Sequence, residues 1–127
     1  MAAHERFLRG WSNAGFEGLL RSAANGGTRL MMHEVNLGEV FYLVAKERDE
    51  NTAGSILRLI EDLGIETVAV EAEDALRAAS IKANHPISYA DCFCVNLAVA
   101  HAAPVLTGDK DFLELQQARI TVEWLGA

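Results

Sequence analysis

One carboxylate stands in a stretch of sequence that otherwise reads as buried. Asp91 lies in the run "ISYADCFCVNLAVA", where a helix would place Ile87 and Val95 one turn to either side of it. An uncompensated charge on such a face costs several kcal/mol to desolvate. Ser88, three residues earlier, offers a structural explanation, since Ser-x-x-Asp loosely fits the capping-box pattern. The other explanation is a bound cation, which would compensate the charge directly.

Two further acids have comparable settings. Glu39 has Val35 and Leu43 four residues to either side, although an ion pair with an Arg or Lys would also explain it. Asp109 directly follows "PVLTG", where a simple turn residue is the alternative. Hard cations such as Mg²⁺ and Mn²⁺ take carboxylate oxygens as ligands, and they support hydrolysis of phosphodiesters. Taken together, the three acids predict metal-dependent chemistry on a phosphodiester.

Polar neighbours of these acids have weaker claims to a role. Asp111 and Glu114 fit the cap of a short helix better than they fit a metal site. Lys110 is a candidate for a phosphate contact, and a solvated surface lysine is the alternative. Asn36, one turn before Glu39, would hydrogen-bond a ligand or serve in polar packing of the helix.

Turn residues and hydrophobic periodicity divide the chain into alternating helices and strands. The predicted helices are 16–27, 34–48, 51–64, 71–85 and 87–100, with a helical turn at 111–117. The predicted strands are 28–33, 65–70, 104–107 and 120–125. Asn51 or Thr52 is the predicted cap of the third helix, and Gly64 is its predicted stop.

This alternation predicts an α/β fold with a central parallel sheet flanked by helices, in three layers. No repeat or linker interrupts the sequence, so we expect a single domain over residues 1–127. Ligand sites in such sheets lie beyond the carboxyl ends of the strands. Asp109 and Glu39 both follow predicted strands, and Asp91 lies near the start of its own helix. We therefore expect the three acids to reach one rim of the sheet.

Composition narrows the class of protein. Of the 127 residues 50% are hydrophobic and 23% are charged, as in soluble globular domains. No apolar run approaches the roughly 18 residues of a membrane span, and no secretory signal is recognisable, so we expect a cytoplasmic protein without membrane contact. Cys92 and Cys94 are the only cysteines, and we expect buried free thiols. The net charge of −7 disfavours non-specific binding of nucleic acid, although bound cations would invert the local field.

Three segments resemble PIN domains of the VapC toxin type, and the resemblance covers about residues 16–125. These segments are 33–47, 78–112 and 120–125. Glu39 matches the glutamate of the family's first long helix, and "SYADC" with Asp91 matches the "SYADA" motif. "TGDKDF" matches "TGDPDF" through Thr107 and Asp109, with Asp111 as a further member.

The resemblance implies a ribonuclease, a hydrolase of single-stranded or structured RNA, that depends on Mg²⁺ or Mn²⁺. It implies that Glu39, Asp91 and Asp109 are the catalytic carboxylates that hold the metal. It also implies a toxin–antitoxin pair, in which a homodimer is inhibited by a small cognate antitoxin.

The sequence departs from the family at its beginning. The family opens with a central strand reading like "VLDTSALLA", whose Asp is a metal ligand. Residues 1–15, "MAAHERFLRGWSNAG", contain no Asp, and Glu5 is their only acid. Either the sequence begins downstream of the native start, or this copy has lost the strand.

Three functions compete. The first is the metal-dependent ribonuclease, which the retained Glu39, Asp91 and Asp109 favour. The second is a catalytically impaired PIN-like binding module that engages an antitoxin or self-associates, which the missing Asp favours. The third is a phosphoryl-transfer domain of another α/β class, and it ranks last because the sequence has no Gly-rich phosphate loop.

Overall fold

The computed structural model describes residues 21–22, 25–107 and 122–124. The chain divides into two compact units, Met1–Val68 and Ala69–Ala127, each of which is described by itself. The described strands are β1 (Met31–His33), β2 (Glu66–Val68), β3 (Val105–Thr107) and β4 (Val122–Trp124). The described helices are α1 (Glu34–Glu47), α2 (Glu50–Asp62), α3 (Ala72–Asn84) and α4 (Tyr89–Ala100).

The first unit is a β–α–α–β arrangement with parallel strands. β1 pairs with β2 in the register Met31↔Glu66 and His33↔Val68. Parallel strands cannot be joined by a tight turn, and here α1 and α2 make the crossover and pack against each other. Among the described residues of this unit, the buried apolar ones are Leu30, Val44, Ala53 and Ile60.

The two helices of this unit begin at side-chain caps. His33 ends β1 and also caps α1, because its Nδ1 accepts the backbone N–H of Val35 at 3.3 Å. Asp49 caps α2 and accepts the backbone N–H of Thr52 at 2.6 Å. The prediction of Asn51 or Thr52 as the cap was therefore wrong: Thr52 supplies the donor, and Asp49 supplies the acceptor one turn earlier.

The end of α2 was predicted correctly. Leu63 is the C-cap, and Gly64 follows it with φ of +76°. A residue with a Cβ is strained in that left-handed conformation, so glycine is the residue that ends the helix at low cost.

The second unit contains α3, α4 and a second parallel pair. β3 pairs with β4 in the register Val105↔Val122 and Thr107↔Trp124. α3 packs against α4, and α4 also contacts β3. Glu71 begins α3 through a reciprocal capping box with Asp74. Where burial is described, over residues 69–105, the buried residues of this unit are Ala78, Ile87, Cys92, Phe93, Val95, Asn96, Ala98 and Val105.

The α/β class and the parallel pairing of the strands are confirmed. Each described strand has three residues, so the predicted strand 65–70 is shorter than expected, and both Glu66 and Thr67 in it are exposed. The predicted helical turn at 111–117, and all of the predicted helix 16–27 before Arg21, lie outside the described residues. Among the described helices, none combines the length and the apolar character needed to cross a membrane.

Two glycines inside helices lower stability without any steric reason. Cβ atoms built at Gly38 in α1 and Gly54 in α2 would meet nothing within 4 Å. We expect Gly38→Ala and Gly54→Ala each to raise the free energy of unfolding by about 0.5–1 kcal/mol, because alanine loses less backbone entropy in a helix. Urea denaturation measures the change. Gly64→Ala is the matched control and should destabilise, so a stabilising Gly64→Ala would contradict the account.

The Asp49 cap predicts a pH dependence. The hydrogen bond from the Thr52 backbone lowers the pKa of Asp49. A carboxylate whose pKa falls on folding stabilises the protein above its unfolded pKa of about 4, and this contribution is lost as the pH falls through the folded value. At pH 7 we expect Asp49→Ala to be less stable than the wild type and Asp49→Asn to be close to it, because Asn also caps.

Urea denaturation of the three proteins between pH 7 and pH 3 tests this expectation. The wild type should have a higher free energy of unfolding than Asp49→Ala at pH 7, and this difference should shrink toward pH 3. The difference between Asp49→Asn and Asp49→Ala should not shrink. The same pH dependence for both differences would show that the Asp49 carboxylate is not the cap.

Candidate functional site

Asp91 occupies the third position of α4, on the side of the helix where apolar residues are buried. Ile87 is 5% exposed and Val95 is fully buried, while Asp91 itself is half-buried. The prediction of a carboxylate on an apolar face is therefore confirmed. The charge lies at the helix N-terminus, where the helix dipole favours an anion.

The helix cap at this position comes from the neighbouring serine. Ser88 Oγ accepts the backbone N–H of Asp91 at 3.1 Å. The serine half of the capping-box interpretation is thus confirmed, and the atom that Asp91 contributes to this hydrogen bond is its backbone nitrogen.

The loop before α4 is tied to the preceding helix. Lys82, in the last turn of α3, donates from Nζ to the backbone carbonyl of Ile87 at 2.7 Å. This hydrogen bond holds the segment between His85 and Ser88, from which α4 starts. A lysine near a helix C-terminus is common, and the sequence offers no signal that this lysine reaches across the turn.

The opposite side of α4 packs on the start of α3 through polar contacts. The hydroxyl of Tyr89 donates to the carbonyl of Ala75 at 3.1 Å, and its ring packs edge-on against Phe93 with centroids 5.1 Å apart. Asn96, 6% exposed, donates from Nδ2 to Oδ1 of Asp74 at 3.4 Å. These contacts were not predicted, and the one signal for them in the sequence is an amide within an otherwise apolar helix.

The two thiols differ in their surroundings. Cys92 is fully buried, as predicted, and burial raises the pKa of its thiol, with the Asp91 carboxylate raising it further and Lys82 acting in the opposite direction. Cys94 is half-buried, so the expectation of two buried thiols holds in full for Cys92 alone. Neither of them forms a disulfide bond.

Glu39 lies in the first unit, on α1. Glu39, Val35 and Leu43 are all half-buried, so this side of the helix is partly covered, whereas the residue of α1 that enters the core is Val44. Asn36, one turn before Glu39, is also half-buried, and its Oδ1 atom is buried. Asn36 and Glu39 are thus both partly covered, and their roles stay predictions.

The remaining candidates lie at or beyond the end of β3. Thr107 is the last residue of β3, so the motif "TGDKDF" begins at the end of a strand, as predicted. Asp109, Lys110 and Asp111 lie outside the described residues. As far as its residues are described, neither unit by itself brings together three His, Cys, Asp or Glu side chains that could hold a metal ion.

The model of the PIN domain family matches residues 7–117 of the chain. The chain belongs to the PIN domain family. The match extends over both units and includes Glu39, Asp91 and Asp109. It identifies the chain with a family of nuclease character. Comparison with curated proteins returned no match.

The match also includes residues 7–15, which the resemblance at the level of motifs did not cover, and it ends before the predicted last strand at 120–125. The PIN relationship was therefore predicted correctly from the internal motifs, whereas the assignment to the VapC type stays a prediction.

The free energy of unfolding of variants at Ser88 and Asp91 tests which side chain caps α4. We expect Ser88→Ala to lower the free energy of unfolding by about 0.5–2 kcal/mol, because the Asp91 N–H loses its acceptor. Ser88→Asn should restore most of it. Asp91→Asn, measured in EDTA, should cost little or even stabilise, since the backbone N–H is unchanged. A loss in Asp91→Asn as large as that in Ser88→Ala would return the Asp91 carboxylate to the capping role.

Proposed function

We propose that this PIN domain is a metal-dependent ribonuclease of the VapC type, the toxin of a toxin–antitoxin pair. The observation that carries the proposal is the family match over residues 7–117. The motifs "SYADC" and "TGDKDF" within that match support the assignment to the VapC type. The substrate class is RNA, and the bond hydrolysed is a phosphodiester.

The metal-binding residues in this proposal are Glu39, Asp91 and Asp109. The donor set fits the group chemically, because Mg²⁺ and Mn²⁺ prefer carboxylate oxygens. Asp91 fits further in that it lies at the N-terminus of α4 and is half-buried beside the buried residues Ile87 and Val95. When bound, the metal supplies the positive charge that activates water and stabilises the charge developing on the phosphodiester.

The protein side chains have separate tasks in this scheme. The carboxylates of Glu39, Asp91 and Asp109 bind the cation and set its position. Asn36 hydrogen-bonds a ligand beside Glu39 from one turn earlier on α1. Lys110 contacts a phosphate of the RNA, and Thr107 and Asp111 are further members of the motif that carries Asp109.

The net charge of the chain affects its binding to RNA and to a protein partner. At −7 the chain attracts RNA poorly over long range, so binding depends on the local charge of bound cations. The same acidic balance suits a cognate antitoxin with a basic segment. We further propose that the protein acts in the cytoplasm as a homodimer.

A catalytically impaired binding module is the second candidate, because the match to the PIN family model shows the family and not turnover. A module of this kind would engage an antitoxin or a second copy without turnover. Metal binding and RNA cleavage distinguish it from the nuclease.

Calorimetric titration with Mn²⁺ is the test of metal binding. We expect Asp91→Asn to weaken binding by at least about tenfold, because losing even an outer partner of a metal ligand costs this much. Asp62→Asn is the matched control, since it removes the same charge from an exposed position at the end of α2. Identical titrations for the wild type and Asp91→Asn would contradict the proposed role of Asp91.

Cleavage of end-labelled single-stranded RNA is the test of activity. We expect cleavage by the wild type in Mg²⁺ or Mn²⁺, none in EDTA, and none by Asp91→Asn. A wild-type protein that binds Mn²⁺ yet cleaves no RNA would favour the binding module.

A further inference from the structure

The helix that carries Asp91 has two sides with different partners. Tyr89, Phe93 and Asn96 follow the i, i+4, i+7 spacing and so share the side of α4 that packs on α3. At about 100° per residue, Asp91 lies roughly 200° around the helix from Tyr89. When α4 rotates about its own axis relative to α3, the Asp91 carboxylate on the opposite side of α4 therefore moves too.

Two hydrogen bonds fix that rotation. Tyr89 and Asn96 are two turns apart, and they bond to Ala75 and Asp74 in the first turns of α3. The Asp74 carboxylate serves both helices: Oδ2 accepts the backbone N–H of Glu71 at 3.0 Å, and Oδ1 accepts from Asn96. The cap of α3 and the orientation of α4 thus share one side chain.

A polar residue at position 96 needs an explanation, because the other buried residues of α4 are apolar. Apolar contact is non-directional and tolerates small rotations, whereas a hydrogen bond constrains both distance and angle. A buried amide also loses its hydrogen bonds to water, which makes other rotations of the helix costly. Asn96 is 6% exposed, so this constraint applies to it in full.

The required precision shows why rotation matters. A carboxylate about 5 Å from the helix axis moves by about 1 Å when the helix turns by about 10°. Distances from a metal to its ligands tolerate only about 0.2 Å. Apolar packing alone would not hold a ligand to that limit.

We propose that Asn96 is a positioning residue, whose hydrogen bond to Asp74, together with that of Tyr89 to Ala75, sets the rotation of α4 and thereby the direction of the Asp91 carboxylate. This inference rests on the proposed role of Asp91 as a metal ligand. Asn96 touches neither metal nor RNA in this scheme and acts through Asp91.

A double-mutant cycle on Mn²⁺ affinity tests the proposal. Asn96→Leu keeps a side chain of similar size without the donor, and we expect it to weaken Mn²⁺ binding about tenfold in the wild-type background. In the Asp91→Asn background the same change should have no further effect. A structural role for Asn96 alone would lower the affinity equally in both backgrounds, and that result would overturn the proposal, as would wild-type affinity in Asn96→Leu.

Two substitutions of Asp74, the partner of Asn96, form a matched pair in which one keeps the hydrogen bonds and the other removes them. Asp74→Asn retains an oxygen for the Glu71 N–H and can donate its amide to a flipped Asn96, so we expect near wild-type Mn²⁺ affinity. Asp74→Ala removes both interactions and should behave like Asn96→Leu. Equal affinities for Asp74→Asn and Asp74→Ala would overturn the proposal.

The reactivity of the Cys92 thiol tests this inference independently of metal binding, on which the proposed function depends. Cys92 is fully buried one turn before Asn96, and in a Cys94→Ser background it is the only thiol of the chain. We expect Asn96→Leu to raise the rate of Cys92 modification by a thiol reagent several-fold, and Asp74→Asn to leave it unchanged. If Mn²⁺ binding proves independent of Asp91, the proposed function fails, and an unchanged thiol rate in Asn96→Leu would then overturn the positioning as well.

Discussion

The N-terminal caps of α1 and α4 set the positions of Glu39 and Asp91, the two candidate metal ligands that lie among the described residues. A helix leaves its first backbone N–H groups without partners, so it begins where a side chain can accept one of them. His33 does this for α1 at the end of β1, and Ser88 does it for α4 after the turn that Lys82 ties down. Glu39 and Asp91 then follow at set distances along rigid helices.

The cap at His33 joins two elements of the first unit. His33 is the last residue of β1, its side chain is 1% exposed, and its Nδ1 accepts the backbone N–H of Val35. The start of α1, and with it the position of Glu39, depends on this buried side chain. A strand end, a helix start and a candidate ligand are thus linked through one side chain.

Electrostatics explains why acids in these positions suit a cation. Asp91 stands beside buried Ile87 and Val95, where partial burial opposes its charge. Burial raises the pKa of the neighbouring Cys92 thiol, and the Asp91 carboxylate adds to this shift while Lys82 opposes it. The helix N-terminus offsets part of this cost, and a bound divalent ion would offset more. In a chain of net charge −7, such an ion would also create a local positive field for a phosphate.

The sequence by itself determined the local structure and the family. Short-range patterns can be recognised from the sequence alone, because they involve residues within one or two turns of each other. They include the helices, the stop at Gly64, the cap at Ser88 and the apolar setting of Asp91. The motifs around Asp91 and Asp109 were enough to identify a PIN domain, as the family match confirms.

The tertiary structure decided what depends on distant residues. The contact between Asn96 and Asp74 joins positions 22 residues apart, and that between Tyr89 and Ala75 joins positions 14 apart. Neither residue type nor spacing reveals such pairs, because they arise from how α4 rests on α3. The shortness of β2 and the partial exposure of Cys94 have the same origin, since burial is a property of packing against other elements.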